Sequence, residues 1–538
     1  MTQVHIDVAD DAVDSGSALH ELLQRRFASR LFAGDATLWG PAAEAEASVR
    51  LGWTDVAPHA APLIPEIEAL RAEFVAAGID RFVLCGMGGS SLAPAVITRW
   101  AGVPLVVLDS THPAMVRRAI GDAEALARTA VIVSSKSGGT IETLSHLAAV
   151  ETAFANAGIE ASSRIVVVTD PGSSLERDSR LAGRRVFLAD PNVGGRFSAL
   201  TAFGLVPSGL AGADIRRLVS DAAGARDELM QDTEANPALQ LAAYVCAGLP
   251  TRFVLATRSG ADADWGLGQW IEQLIAESTG KDGSGVLPIS LAPNAHEFGT
   301  ADDRVLPVQL RQTSAVEGAG SGRLTDTDPM RGLSVAASLG AQLLLWEVVT
   351  AALGALMSVD PFNQPDVESA KVAARGLLNA PASEVEDSDD AAASPAATVA
   401  WLRAALPAGG YLAVQAFLDS GAAYVPKLAE LREALAESLA APVALCWGPS
   451  YLHSTGQLHK GGPAIGAYLQ LVDAAMPAHP IPGAPHGFET LIEAQARGDR
   501  AVLSGRGRPV LTLRTEDVAS LVDGLLVALR DRPSTSEV

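Results

Sequence analysis

Cysteine is scarce: the 538 residues hold three, Cys85, Cys246 and Cys446, far apart and each within or beside an apolar run. That leaves no disulfide frame and no zinc-type spacing, and reads as reduced core thiols. Positive charge is also short. Forty Lys and Arg face 62 Asp and Glu, a formal net charge of −22, which argues against nucleic-acid partners and an anionic membrane surface. Such a chain must bind an anion with backbone N–H groups and a few placed cations. No uninterrupted apolar run reads as long enough to span a bilayer, and Met1-Thr-Gln-Val-His-Ile-Asp7 has no basic segment ahead of an apolar one. A soluble, cytoplasmic protein is the expectation. What remains is an ordinary globular composition, 48% hydrophobic and 19% charged, in a chain too long for one core, so two to four domains are expected.

Residues 1–75 read as a helical segment, broken by prolines between Pro58 and Pro65. Then short apolar runs alternate with helical stretches: Arg81 to Cys85, Pro104 to Asp109, Ala130 to Ser134, Arg164 to Thr169 and Arg185 to Leu188. Continuous apolar strands separated by helices predict a parallel sheet covered on both faces, here over 76–230. A second α/β set spans 231–380, with strands at Arg252 to Ala256 and Val305 to Leu310 and a long apolar helix at Val335 to Leu356. The acidic stretch 381–397 reads as a solvated linker. Residues 398–538 read as an α+β module with a helix at Glu489 to Arg497 and a β pair around Ala501 to Thr512.

Two glycine-rich turns follow strands. Val131-Ile-Val-Ser-Ser-Lys-Ser-Gly-Gly-Thr-Ile-Glu-Thr143 ends a strand in hydroxyls and glycines and opens a helix. Free N–H groups and the positive end of the helix dipole make that point a natural phosphate seat, with Ser135, Ser137 and Thr140 around it. Lys136 either adds charge there or points to solvent. Leu84-Cys-Gly-Met-Gly-Gly-Ser-Ser-Leu-Ala-Pro94 is weaker evidence: a bare tight turn, or a dinucleotide turn with Asp109 some twenty residues on, although the spacing is not Gly-x-Gly-x-x-Gly.

Five colinear motifs make the pattern specific: Gly86 to Pro94, Ser134 to Thr143, Gly194 to Leu205, Gln273-Leu-Ile-Ala-Glu-Ser-Thr-Gly-Lys281, and Asp360-Pro-Phe-Asn-Gln-Pro-Asp-Val-Glu-Ser-Ala-Lys371. In this order they resemble the phosphoglucose isomerases built on sugar-isomerase (SIS) domains, in the form fused to transaldolase in some bacteria. The resemblance covers roughly residues 80 to 375. It implies an α/β fold of two SIS-type three-layer sandwich domains with parallel sheets, here with the extra C-terminal module. It also implies interconversion of glucose 6-phosphate and fructose 6-phosphate without metal or organic cofactor, usually by a dimer.

Moving a proton between C1 and C2 through a cis-enediol needs one base, and Glu277 stands where the family has it; partial burial would raise its pKa toward a useful value. By resemblance Arg196 stabilises the enediolate oxygen and Lys371 takes part in ring opening. Gln273, one turn before Glu277, shares its face and contacts the substrate or orients the base. The phosphate falls to Ser135, Ser137 and Thr140, with Ser90 and the backbone of Gly88 and Gly89 helping. Where the family has threonines this chain has Ser137, Gly138 and Gly139, so N–H groups do more of the binding.

Histidine is the departure. The family has a ring-opening His between the Glu and Lys motifs, and His296 is alone in that interval, in a setting that does not match. Tyr451-Leu-His-Ser-Thr-Gly-Gln-Leu-His-Lys-Gly-Gly-Pro463 looks loosely like the family's His segment but lies out of order. The expectation is that the C-terminal module brings His459 or His453 to the sugar, within one subunit or across a dimer. A dual phosphoglucose/phosphomannose isomerase, a non-catalytic SIS sugar-phosphate sensor and an NAD-linked enzyme are the other readings. Glu277, Arg196 and Lys371 together disfavour the sensor.

Overall fold

Apolar strands of five or so residues, each followed by a helix, can bury both faces only in parallel sheets. The computed structural model, which describes residues 3–8, 14–259, 265–313, 332–379 and 394–531, has three such sheets. The first runs in the order Val106–Leu108, Arg81–Gly86, Thr129–Ser134, Ile165–Thr169, Arg185–Leu188, all parallel. Its central strands end at Gly86 and Ser134, so both glycine-rich turns emerge at the same sheet edge, the carboxyl end where open α/β sheets hold ligands.

The second sheet joins Leu333–Ala337, Val305–Gln312, Val254–Ser259 and Leu287–Ser290 in parallel. Its edge is closed by Val4–Val8, antiparallel to Leu333–Ala337. The N-terminal segment is therefore not wholly helical: alternation at Val4 and Ile6 makes its first residues an edge strand, paired with a strand more than 300 residues away. The apolar stretch expected as one helix from Val335 divides at Ser338 into that strand and the helix Leu339–Met357. This helix is long and apolar enough by composition to cross a membrane, but 94% of its most apolar window is buried among the helices Ile215–Leu229 and Pro237–Ala247. A helix apolar all round is what the centre of a large core requires.

The third sheet, Val443–Trp447, Tyr411–Phe417, Gly466–Asp473 and Val510–Thr515, is parallel throughout. The C-terminal module is thus α/β rather than α+β. Residues 501–505, expected as half of a β pair, continue the amphipathic helix Phe488–Gly505, which stops before Gly507 at positive φ. Of the expected acidic linker, residues 381–393 lie outside the described residues, and Pro395 already opens a helix capped by Ser394.

Candidate active site

Met87, Gly88, Gly89 and Ser90 cross the end of Arg81–Gly86 and meet the loop at Gly195 and the segment at His453. A Cβ at Gly89 would lie 2.1 Å from Gly195 O, and one at Gly88, where φ is +53°, 2.7 Å from His453 O. Both positions must be glycine because three backbones converge there. They border a cavity of about 460 Å³. Lys136, Ser137, Thr140, Arg196, Gln273 and Glu277 also line it, so motifs spread over nearly 200 residues share one space.

On the first-sheet side, Thr140 precedes the helix Ile141–Asn156 in extended backbone, and its side chain does not cap the first turn. Its Oγ1 instead pairs with the buried Ser135 Oγ at 3.0 Å. The helix N-terminus is thereby left facing the cavity with N–H groups to offer an anion. Ser135 supports this wall rather than lining it. Lys136 does not simply point to solvent: its Nζ donates to Asp170 Oδ2 at 2.6 Å, and both side chains line the cavity. Burial raises the Asp170 pKa, against the lowering effect of Lys136.

The helix Leu267–Thr279 supplies Gln273 and Glu277, both buried. Glu277 Oε1 lies 3.3 Å from Arg196 Nη1, and Gln273 Nε2 donates to Glu277 Oε2 at 3.1 Å and to His453 O at 2.8 Å. Among the described residues, Gln273 Oε1 is buried without a hydrogen-bond partner. Arg196, 3% exposed, is held by Ser278 Oγ (2.7 Å), Gln364 Oε1 (3.1 Å), Pro361 O (2.6 Å) and Asn363 O (2.9 Å). Burial pushes its pKa below the ordinary guanidinium value, while Glu277 and Asp360 oppose that. Behind it, Lys281 donates to Asp360 O; burial, then Arg196, lowers its pKa to about 7. Lys371 is carried on Pro365–Asn379, whose Val367, Ala374, Arg375 and Leu378 line the cavity; its side chain lies outside the described residues.

The three histidines separate. His453 lines the cavity, and its Nε2 is 3.0 Å from Glu142 Oε1. Gln495 Nε2 donates to the same oxygen at 2.7 Å, and Gln495 Oε1 accepts from Thr111 Oγ1. Asp109 accepts from Ser450 Oγ at 2.8 Å; burial raises its pKa, offset by Ser450 and by the nearby His453. The expectation for His459 is corrected. It is fully buried in its own module, with Nδ1 3.0 Å from Tyr411 Oη and Nε2 3.7 Å from Cys446 Sγ. Burial, with Lys460 and Arg508 adding, drops its pKa to about 3. His296 is corrected too: it opens a short helix against the C-terminal module, its backbone N donating to Glu433, and it is not among the cavity-lining residues.

Sequence reasoning missed Glu142, Asp170, Gln364 and Gln495. Glu142 looks like any acid in a first helical turn, and Gln495 like any polar residue on an amphipathic helix. Among the described residues no group of three or more His, Cys, Asp or Glu side chains could hold a metal ion.

Comparison with known proteins agrees with the motif order. The chain is 30% identical over 369 residues to a probable glucose-6-phosphate isomerase of Haloarcula marismortui, covering 59% of this chain and 84% of that protein. It is 30% identical over 355 residues to a glucose-6-phosphate isomerase of Rubrobacter xylanophilus, covering 55% and 81%. The fold is shared with a glucose-6-phosphate isomerase of Chlamydia trachomatis at TM-score 0.54 and 18% identity, over 70% of this chain and 88% of that one. A hypothetical protein of Thermus thermophilus aligns at TM-score 0.57 and 24% identity, over 70% of this chain and all of that one. No family model matches the chain.

Proposed function

We propose that this chain, which belongs to the glucose-6-phosphate isomerase family, interconverts glucose 6-phosphate and fructose 6-phosphate through ring opening and a cis-enediol. The observation that carries this is one cavity combining the uncapped N-terminus of Ile141–Asn156 with the Glu277–Arg196 pair at 3.3 Å. The helix N-terminus, Ser137, Thr140 and Lys136 take the phosphate. Glu277 moves the proton between C1 and C2, and the buried Arg196, fixed by four hydrogen bonds, meets the negative charge that develops on the enediolate oxygen. Gln273 Oε1, buried and unpartnered, awaits a sugar hydroxyl.

His453 serves ring opening by relaying a proton to the ring oxygen, oriented by Glu142, while Lys371 on the facing helix assists. His453 and the helix that carries Lys371 are both brought to the cavity by the fold of a single chain. Burial of Leu339–Met357 inside the fold supports reading it as a core helix rather than a membrane span.

The test is incubation with fructose 6-phosphate in heavy water, followed by NMR of the products. Deuterium at C2 of glucose 6-phosphate is expected. Label in mannose 6-phosphate as well would widen the specificity to a dual isomerase, and binding without exchange or product would replace the enzyme with a sensor.

A further inference from the structure

In the segment Gly456-Gln-Leu-His-Lys-Gly461, His459 faces away from the cavity. Its neighbour Gln457 faces the opposite way, out of the C-terminal module, and is fully buried against two helices that border the cavity. Gln457 Oε1 accepts from the backbone N of Asp366 at 2.9 Å, in the first turn of Pro365–Asn379. Its Nε2 donates to Asp366 Oδ2 at 2.6 Å and to Gly280 O, the C-cap of Leu267–Thr279, at 3.0 Å. One carboxamide therefore ties the end of the Glu277 helix to the start of the Lys371 helix.

The surroundings fix the carboxamide in this role. Arg506 Nη2 pairs with Asp366 Oδ1 at 2.6 Å, and Arg506 Nη1 donates to Lys460 O at 3.0 Å, so the C-terminal module holds the Asp366 carboxylate on both oxygens. The backbone at Gly461 leaves no slack: a Cβ there would lie 2.3 Å from Asp366 Oδ2 and 2.8 Å from Gly280 O. Gly283 N donates to Gly461 O at 2.9 Å, closing the same contact from the other side. A carboxamide is the side chain that can accept from one backbone N–H while donating twice, and both functions are used here.

We propose that Gln457 is a positioning residue for the isomerisation, setting the separation across the cavity between the Glu277 helix and the facing helix Pro365–Asn379. This rests on the isomerase reading of the cavity. Gln457 touches no substrate; it acts through the ends of two helices. Loss of the tie lets them move apart while the phosphate seat on the first sheet stays in place, so turnover falls and substrate binding does not.

The test compares the wild-type chain with Gln457→Leu and Gln457→Glu on fructose 6-phosphate across pH 6 to 8. For Gln457→Leu, kcat is expected to fall on the order of 100-fold with KM changed by less than about threefold, the pattern of misplaced groups rather than lost binding. Gln457→Glu keeps the acceptor for Asp366 N but sets a carboxylate against Asp366 Oδ2 and Gly280 O. Facing those acceptors in a buried site, it takes up a proton readily, and the protonated acid regains one donor. Its activity relative to wild type should therefore rise as pH falls, a trend that a purely structural role would not produce. The proposal is overturned if both variants keep kcat within about twofold of wild type, or if the loss lies in KM with a pH-independent ratio. A wild-type chain that does not turn over fructose 6-phosphate would instead remove the isomerase reading, and this proposal with it.

Discussion

Replacing His453 with glutamine separates ring opening from proton transfer at C1 and C2. The introduced carboxamide would keep an N–H within reach of Glu142, so the buried carboxylate oxygen that His453 shares with Gln495 keeps both contacts. Losing that hydrogen bond to a charged group would cost about 1.5–3 kcal/mol of stability and confuse the kinetics. What a carboxamide cannot do is exchange a proton. Positioned acid–base groups contribute about 10²- to 10⁴-fold, or about 3–5 kcal/mol of barrier. The assay uses two substrates. Fructose 6-phosphate must open its ring, whereas 5-deoxyfructose 6-phosphate lacks the hydroxyl that closes it and is permanently open. On the first, kcat for His453→Gln should fall within that range; on the second it should change by less than about threefold. Equal losses on both substrates would show that His453 serves the enediol step or the shape of the site. No loss on either would remove it from the mechanism.

Glu277→Gln should abolish deuterium uptake at C2 and lower kcat at least about 10³-fold, while KM stays near its original value because the phosphate seat is untouched; residual exchange at wild-type rates would exclude Glu277 as the base. His459 is held neutral, with a pKa depressed from 6.5 to about 3. Between those values the unfolded chain binds the extra proton, so stability is present above about pH 6.5 and is lost as pH falls, by up to about 1.4 kcal/mol per pH unit for this one group. His459→Gln should flatten that acid limb in denaturant titrations, and an unchanged slope would refute the assignment. Glu347 is the opposite case. It is fully buried in Leu339–Met357, both carboxyl oxygens lack hydrogen-bond partners among the described residues, and burial raises its pKa well above 4.5. Its folded form keeps a proton that the unfolded chain releases above that value, so stability falls as pH rises at about 1.4 kcal/mol per unit. Glu347→Leu should raise Tm, most at alkaline pH, and a lower Tm would mean that the carboxyl is satisfied in a way the structure does not record.

The two halves of the cavity were not equally legible in the sequence. Strand–turn–helix junctions at Gly86 and Ser134 can be read because a parallel strand leaves its glycines and hydroxyls at a helix N-terminus whatever the rest of the chain does. Glu277, Arg196 and Gln273 were found through motif order, and the structure brings them within hydrogen-bond or ion-pair reach. The edge strand Val4–Val8 and the break at Ser338 were hidden because both depend on a partner far away in sequence. The parallel C-terminal sheet escaped for a related reason: its last strand pairs with Gly466–Asp473 across the whole helix Phe488–Gly505, where a local β pair looked simpler.

The segment 450–461 shows where such reading stops. Three of its side chains take three directions: His453 into the cavity, Gln457 onto the two helices that border it, and His459 into the C-terminal core. It is built from a turn of 3₁₀ helix and a six-residue α-helix, too short to establish a periodicity that would assign faces. A histidine in a glycine-rich run draws notice for its chemistry, and a glutamine beside it does not. Yet burial decides the matter the other way: a histidine kept neutral among tyrosines serves packing, while a carboxamide with all three of its hydrogen bonds made to two cavity-bordering helices fixes their spacing. The C-terminal module therefore contributes to this cavity directly, by His453, Leu452, Leu491 and Gln495 in its wall, and indirectly, by the carboxamide of Gln457 behind it.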